Sequence, residues 1–189
     1  MVQRLLTLLR THGELLVDDI KIDDSSIRAW RQTVAHVPQS IFLADTSIAE
    51  NIAFGVAPEN INMPQVKDAA KKAMIDNFIE SRPNGYSEVV GERGVRLSGG
   101  QRQRIGIARA LYKKANVIVF DEATSALDNE TEKVVMEAIR NLGEELTLII
   151  VAHRLSTLEN CTHIIELDQG KILRIGSYDE IINHARSTS

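Results

Sequence analysis

Several features that define common protein classes are scarce in this chain of 189 residues. It has one cysteine, Cys161, so an internal disulfide is excluded and a reducing compartment is indicated. A formal net charge of −4 gives no reason to expect nucleic acid as a partner. The longest apolar stretch, around Leu146 to Ala152, is interrupted by Thr147 and is far too short to cross a bilayer. We therefore expect a soluble chain.

A phosphate-binding loop of the form G-x-x-x-x-G-K-[ST] is also missing from the 11 glycines. A glycine pair, Gly99 and Gly100, instead opens the predicted helix in LSGGQRQRIGIARAL (Leu97–Leu111). Glycines at a helix N-terminus let backbone N–H groups come close to an anion. Ser98 and Gln101 have the S-x-x-Q spacing of a capping box. An anion site and an ordinary well-capped helix are both compatible with this pattern.

Hydrophobic patterning predicts an α/β fold. Continuous apolar runs, typical of parallel strands buried on both faces, lie at Val117–Phe120 and Leu148–Val151. Further strands are predicted at Glu14–Ile22, at Val34–Val37, and in a hairpin of His163–Leu167 with Lys171–Ile175. Helices are predicted at 2–9, 27–32, 64–78, 129–142 and 178–184. The region between Ile48 and Gly91 is expected to be a helical insert.

Two carboxylates follow the first apolar run, in VIVFDEATSALD (Val117–Asp128). Ligands of open α/β sheets bind at the carboxyl ends of the strands, which is where Asp121 and Glu122 are expected. Asp121 is suited to holding Mg²⁺, directly or through water, and Glu122 to orienting or deprotonating a water. The alternative is that the pair only begins a solvated loop that caps the next helix.

Two more polar residues follow predicted strands. His153 comes after Leu148–Val151, where an imidazole can hydrogen-bond a terminal phosphate, although a lone histidine in such a place is more often structural. Gln39 follows Pro38, and a neutral amide there can bind a metal ion or a water. The remaining histidines are given no role: His12, His36, His163 and His184.

In this order, the motifs resemble those of the nucleotide-binding domain of exporter-type ABC transporters. LSGGQ resembles the signature motif, FDE the Walker B motif, and SALD (Ser125–Asp128) the D-loop. His153 is similar to the switch histidine and Gln39 to the Q-loop glutamine. SEVVGERG (Ser87–Gly94) resembles the loop that, in exporters, lies near the coupling helices of the membrane domain.

The resemblance implies a P-loop-NTPase-like core with a mostly parallel sheet, incomplete at the N-terminus, and an inserted helical subdomain. Residues 1–47 would begin the core, 48–100 would form the helical subdomain, and 101–189 would complete the core. The chain begins in the helix that the Walker A loop precedes in the family, so the isolated chain is expected to bind ATP poorly.

Function, cofactors and partners also follow from the resemblance. Two such domains pair head to tail, and ATP with Mg²⁺ lies between the Walker A loop of one and the signature of the other. The resemblance implies that the signature residues contact the γ-phosphate: Ser98, Gly99 and Gly100, beside Gln101. Gln39 and Asp121 would bind Mg²⁺, and Glu122 would be the general base. His153 would be the switch, and Asp128 would bridge the dimer. The domain would drive a membrane-spanning domain at the cytoplasmic face of the membrane.

Three functions remain open on the sequence alone. The first is the ATP-hydrolysing subunit of an exporter. The second is a non-catalytic module that lends its LSGGQ half-site in trans to a partner with an intact Walker A loop. The third is a soluble ABC ATPase of DNA repair or chromosome maintenance. Proteins of that class often carry long coiled coils or zinc modules, whereas this chain has a single cysteine and no heptad run.

Overall fold

The computed structural model describes residues 14–122, 129–141, 146–152 and 154–181. The predicted helix 2–9, the D-loop residues including Asp128, and His153 lie outside these ranges. Contacts group the chain into two units, residues 1–151 and 152–189. The predicted boundaries after residues 47 and 100 lie within the first unit and stay predictions.

Residues 14–22, predicted as a single strand, form a small hairpin. Strand β1 (Leu16–Val17) pairs antiparallel with β2 (Ile20–Lys21). The connecting residues, Asp18 and Asp19, have φ values of 49° and 63°. Positive φ at both central positions matches the twist of hairpin strands, but glycine normally occupies at least one of them. The prediction of one strand was wrong because Asp-Asp is a weak turn signal.

The first unit contains a three-stranded parallel sheet in the order β3-β4-β5. Its strands are β3 (Val34–Val37), β4 (Val117–Asp121) and β5 (Thr147–Val151). Val37 lies opposite Phe120, and Asp121 lies opposite Val151. Because the strands are parallel, all three carboxyl ends meet at the same edge of the sheet. Both apolar runs are thus parallel strands, as predicted, but only β4 is buried as expected, because the residues of β5 are half-buried or exposed.

The two faces of this sheet differ in what covers them. Alternate residues such as Val37 and Phe120 face the main hydrophobic core. The residues between them form a smaller cluster around Val34 and Val119, against which Trp30 packs. The second face thus carries a short apolar row that leads toward the carboxyl edge.

Helices surround the main core. They are α1 (Ile27–Thr33), α2 (Ile48–Ile52), α3 (Met63–Lys72), α4 (Asp76–Glu80), α5 (Gly99–Tyr112) and α6 (Asn129–Arg140), and residues 178–181 are also helical. Helix α5 contacts α2, α3, α6 and β3 and is buried along much of its length. It is the element through which the helical region reaches the sheet.

The single helix predicted over 64–78 is two helices. Helix α3 ends in a Schellman motif, in which the N–H of Met74 bonds to the carbonyl of Lys71 and the N–H of Ile75 to that of Ala70. Met74 has a φ of 55°. Glycine usually occupies this position, so the sequence carried no stop signal. Ala73 and Ile75 are buried, which kept the apolar spacing helical across the break.

The second unit contains the predicted C-terminal hairpin. Strand β6 (Ile164–Asp168) pairs antiparallel with β7 (Lys171–Gly176), and its turn residues Gln169 and Gly170 both have positive φ. The hairpin prediction is confirmed. Within the residues that the structure describes, no helix has the length and apolar character to span a membrane.

Candidate functional site

The signature segment forms the capped N-terminus of α5. The Ser98 hydroxyl oxygen accepts from the backbone N–H of Gln101 at 3.2 Å. The Gln101 side-chain oxygen accepts in return from the N–H of Ser98 at 2.8 Å. This is the predicted capping box, and Ser98 is exposed at its start. The helix dipole therefore has its positive end at an accessible surface.

The two glycines of the signature have different surroundings. As the first two residues of α5, Gly99 and Gly100 have N–H groups that no carbonyl of the same helix can accept from. Gly99 is half-buried, whereas Gly100 is buried against α6. A Cβ on Gly100 would lie 2.0 Å from Cγ2 of Thr131. Gly100 is thus required by helix packing, independently of any ligand.

The acidic pair lies at the carboxyl edge of the sheet, as predicted. Asp121 is the last residue of β4, and Glu122 follows with its N–H donating to the carbonyl of Val151 on β5 at 2.9 Å. Glu122 has a φ of 50°, in the left-handed region that non-glycine residues rarely occupy. Such strained residues cluster at functional sites, where the surrounding structure fixes them. The backbone turn at Glu122 is held by the neighbouring strand.

Gln39 lies at this same edge. Gln39 is exposed and lies two residues after Val37, the last residue of β3. Val37 pairs with Phe120 on β4, and Glu122 likewise lies two residues after Phe120. The buried side chain of Gln103 on α5 donates to the carbonyl of Pro38 at 3.4 Å. This contact joins α5 to the residue directly before Gln39.

The rest of the loop after Gln39 also packs on α5. A Cβ on Gly106 would lie 2.5 Å from Cδ1 of Ile41, so the loop approaches the helix closely. Farther along, Arg109 donates from Nη1 and Nη2 to the carbonyl of Phe42, each at 3.1 Å, and from Nε to the carbonyl of Asn51 at 2.9 Å. Burial lowers the pKa of Arg109, but a guanidinium stays charged.

Sequence reasoning did not assign roles to the residues that make these contacts. Gln103, Gly106 and Arg109 are spaced three apart, so they share one face of α5. That spacing was visible in the sequence. What it faced was not, because the contact joins segments more than 60 residues apart.

The carboxyl edge has the donor chemistry that Mg²⁺ prefers. Asp121 offers carboxylate oxygens and Gln39 an amide oxygen. Within the described ranges, no group of three or more His, Cys, Asp or Glu residues could hold a metal ion by itself. Mg²⁺ usually binds through one or two protein ligands and completes its shell with substrate phosphates and water, so the two residues fit that ion.

One histidine that received no role lies next to this edge. Nε2 of His36 on β3 is 3.6 Å from Oδ2 of Asp121. His36 is opposite Val119 in the sheet, so Asp121 is its diagonal neighbour on the same face. The predicted site residues Asp128 and His153 lie outside the described residues, and their roles stay predictions.

Comparison with known proteins decides the family. The family model described as "ABC transporter" matches residues 1–125, about two thirds of the chain. The chain belongs to the ABC transporter family. Its motifs and its parallel sheet correspond to the nucleotide-binding domain of ABC exporters, a P-loop NTPase fold.

Relatives and a solved structure agree with this assignment. The chain is 44% identical over 172 residues to an ATP-dependent lipid A-core flippase of Chromohalobacter salexigens, covering 91% of this chain and 29% of the flippase. It is 46% identical to ABC transporter B family member 15 of Arabidopsis thaliana, covering 91% of this chain and 14% of that protein. A bacterial Atm1-family ABC exporter, solved with ATP bound, matches with a TM-score of 0.86 and 36% identity, over 100% of this chain and 34% of that one. The chain thus spans less than a third of the curated relatives and about a third of the exporter.

Proposed function

We propose that this chain is the ATP-binding and ATP-hydrolysing domain of an exporter-type ABC transporter and couples ATP hydrolysis to transport across a membrane. The observation that carries the proposal is the carboxyl edge of the sheet, where Asp121 and a strained Glu122 end β4 beside the loop of Gln39. Metal-binding and proton-accepting groups are together there, as nucleotide hydrolysis requires.

The residues at this edge have separate roles in the proposal. Asp121 and Gln39 bind Mg²⁺, which neutralises charge on the phosphates when bound. Glu122, which is half-buried, accepts a proton from the attacking water. His153 contacts the terminal phosphate, as the resemblance to the switch histidine implies.

The second half of the site comes from another molecule in this proposal. Ser98, Gly99, Gly100 and Gln101 face the γ-phosphate of ATP bound to a partner domain, with which this chain pairs head to tail. The exposed, capped N-terminus of α5 supports this, because its free N–H groups and helix dipole favour an anion. Asp128 bridges the two domains.

ATP binding further requires a phosphate loop, which the 189 residues do not contain. The lysine and N–H groups of such a loop hold the β- and γ-phosphates, so we expect little ATP hydrolysis by this chain alone.

An exposed aromatic pair supports docking to a membrane-spanning domain. Phe42 and Phe54 are 61% and 52% exposed, and their rings meet edge to face at 6.5 Å. The guanidinium of Arg109 lies 4.5 Å from the Phe54 ring centre. Val89, in the segment that resembles the exporter loop, is also exposed. Large exposed apolar side chains of this kind mark protein interfaces, and the proposed location is the cytoplasmic face of the membrane.

Substitution of the proposed base tests this function. The chain is joined to an upstream segment with G-x-x-x-x-G-K-[ST], and ATP turnover is measured for Glu122→Gln. Loss of a general base lowers turnover by about 10²- to 10⁴-fold. Glu59→Gln, at an exposed glutamate far from the sheet edge in sequence, is the matched control and should leave turnover unchanged. Equal turnover with and without the Glu122 carboxylate rules out its role as base.

A second function is favoured by a separate observation. The capping box of the signature helix is complete, while the chain has no phosphate loop. Such a chain can lend its signature in trans to a partner with an intact loop, without hydrolysing ATP itself. In a mixed dimer, Ser98→Arg then lowers the partner's ATP turnover, whereas Glu122→Gln in this chain does not. Unchanged turnover with Ser98→Arg excludes this function.

A further inference from the structure

The register of the parallel sheet brings His36 to the candidate metal site. His36 pairs with Val119, and side chains two apart on a strand share a face, so Asp121 is the next residue on that face of β4. Diagonal neighbours in a sheet are within reach of long side chains. The imidazole reaches along the diagonal, and Nε2 lies 3.6 Å from Oδ2 of Asp121.

The His36–Asp121 pair lies at the end of an apolar row on one face of the sheet. Val34 and Val119 form the apolar row behind the two side chains, with Trp30 packed on it. His36 and Asp121 are the polar end of that row, and about one third of each side chain is exposed. Their separation exceeds a direct hydrogen bond and suits a contact through a bridging water.

The two carboxylate oxygens of Asp121 therefore have different neighbours. Oδ2 faces the imidazole of the neighbouring strand, which leaves Oδ1 for a metal ion. Removal of a residue that hydrogen-bonds a ligating carboxylate or histidine typically lowers metal affinity by about 10- to 100-fold. His36 is the described residue placed to do this for Asp121.

We propose that His36 is a positioning residue that orients the carboxylate of Asp121 for Mg²⁺. This inference rests on the proposed function, since it takes Asp121 as a ligand of the ion. It adds a group within β3 to a site whose other members lie at, or just beyond, the carboxyl ends of the strands. His36 itself does not touch the metal or the nucleotide.

Metal affinity, measured without turnover, tests the proposal. Mn²⁺ replaces Mg²⁺, and its binding to the chain extended by an upstream phosphate-loop segment, with ATP present, is followed by electron paramagnetic resonance of the protein-bound ion. His36→Leu removes the imidazole but keeps an apolar side chain, and should raise the Mn²⁺ dissociation constant about 10-fold. His36→Gln restores an N–H donor and should return the affinity close to that of the unaltered chain. His163→Leu, at another exposed histidine, is the matched control and should have no effect.

Asp121→Asn separates failure of this inference from failure of the proposed function. If Asp121→Asn abolishes Mn²⁺ binding while His36→Leu leaves it unchanged, His36 does not position the ligand, but Asp121 keeps its role. If Asp121→Asn binds Mn²⁺ normally, or if the extended chain without substitutions binds none at millimolar concentration, both assignments are overturned. Equal weakening by His36→Leu and His163→Leu also refutes the proposal, since the effect would not depend on position.

A second readout covers the case in which His36→Leu disturbs folding. Bound Mn²⁺ broadens the imidazole proton signals of nearby histidines in NMR spectra. In the unaltered chain, the His36 signals should broaden at the lowest Mn²⁺ concentrations that the chain binds. In Asp121→Asn the same broadening should need much higher concentrations. His36 signals that stay sharp when Mn²⁺ is bound to the unaltered chain contradict the placement of His36 beside the metal.

Discussion

Substitution of Gly100 by alanine isolates the packing role of a signature residue. The added Cβ would lie 2.0 Å from Cγ2 of Thr131, where ordinary contact begins at 3.4 Å, so α5 and α6 must separate by about 1.4 Å unless Thr131 moves. Overpacking of a well-packed site typically costs about 1–3 kcal/mol. The gain in helix propensity from glycine to alanine is about 1 kcal/mol at most, and less in the first turn. We expect a net loss of about 1–2 kcal/mol.

Urea unfolding and thermal melting measure this loss. For a chain of this size, each 1 kcal/mol lowers Tm by about 2–4 °C. Thr131→Ser supplies the matched partner, because it removes Cγ2 and keeps the hydroxyl, and the remaining Cβ and Oγ1 lie at 3.4 and 3.8 Å. The double variant Gly100→Ala with Thr131→Ser should regain most of the stability. A Gly100→Ala variant as stable as the unaltered chain, or one that Thr131→Ser fails to rescue, refutes the packing argument.

The double variant also separates packing from ligand contact. Its Gly100 position keeps a backbone N–H, so ATP turnover in the chain extended by a phosphate loop should recover together with stability. If stability recovers and turnover does not, the phosphate can approach only when residue 100 has no Cβ.

Three further predictions concern the segments that hold the site. A lysine at position 109 cannot reproduce the hydrogen bonds of Arg109 to two carbonyls, so Arg109→Lys should lower the free energy of unfolding by about 2 kcal/mol. Arg28→Lys, at an exposed arginine, is the control and should not change it. Hydrogen bonds from Ser47 hold the pKa of Glu50 below its ordinary value, so their stabilisation is complete above the ordinary pKa and is lost as pH falls through the lower folded value. Glu50→Gln should accordingly flatten the acid limb of unfolding free energy against pH, and an unchanged limb contradicts this. Gly94→Ala, with φ of 68° and a Cβ contact of 2.7 Å, should lower Tm measurably, and an unchanged Tm contradicts the strain.

Local patterns carried much of the fold. The apolar run that ends in Asp121 identified a buried strand and its chemically active end, since both are properties of contiguous residues. The spacing of Ser98 and Gln101 identified the capping box in the same way. These features require no knowledge of which segments meet.

Two errors had a common physical cause. The turn at Asp18–Asp19 and the helix break at Met74 place non-glycine residues at positive φ. Glycine is the ordinary signal for such positions, and without it the flanking apolar spacing reads as continuous structure. At Met74, burial of the flanking Ala73 and Ile75 offsets the local preference.

The tertiary contacts of the site needed the register of the sheet. His36 is 85 positions before Asp121 in the chain, and only the pairing of β3 with β4 makes them neighbours. Arg109 and the carbonyl of Phe42 are likewise 67 residues apart. Sequence patterns located the residues that follow strands, but not the residues that hold them.

In the proposed function, the sheet edge at Glu122 and the signature at Ser98 of one chain belong to two different ATP sites in a pair of these domains. ATP turnover of two mixed dimers, each extended by a phosphate loop, tests it directly. When Ser98→Arg is in one subunit and Glu122→Gln in the other, head-to-tail pairing leaves one site with both groups intact, whereas both changes in one subunit damage both sites. We expect turnover in the first dimer and almost none in the second. The opposite result, turnover only when both changes share a subunit, would show that each chain completes its own site and would rule out head-to-tail sharing.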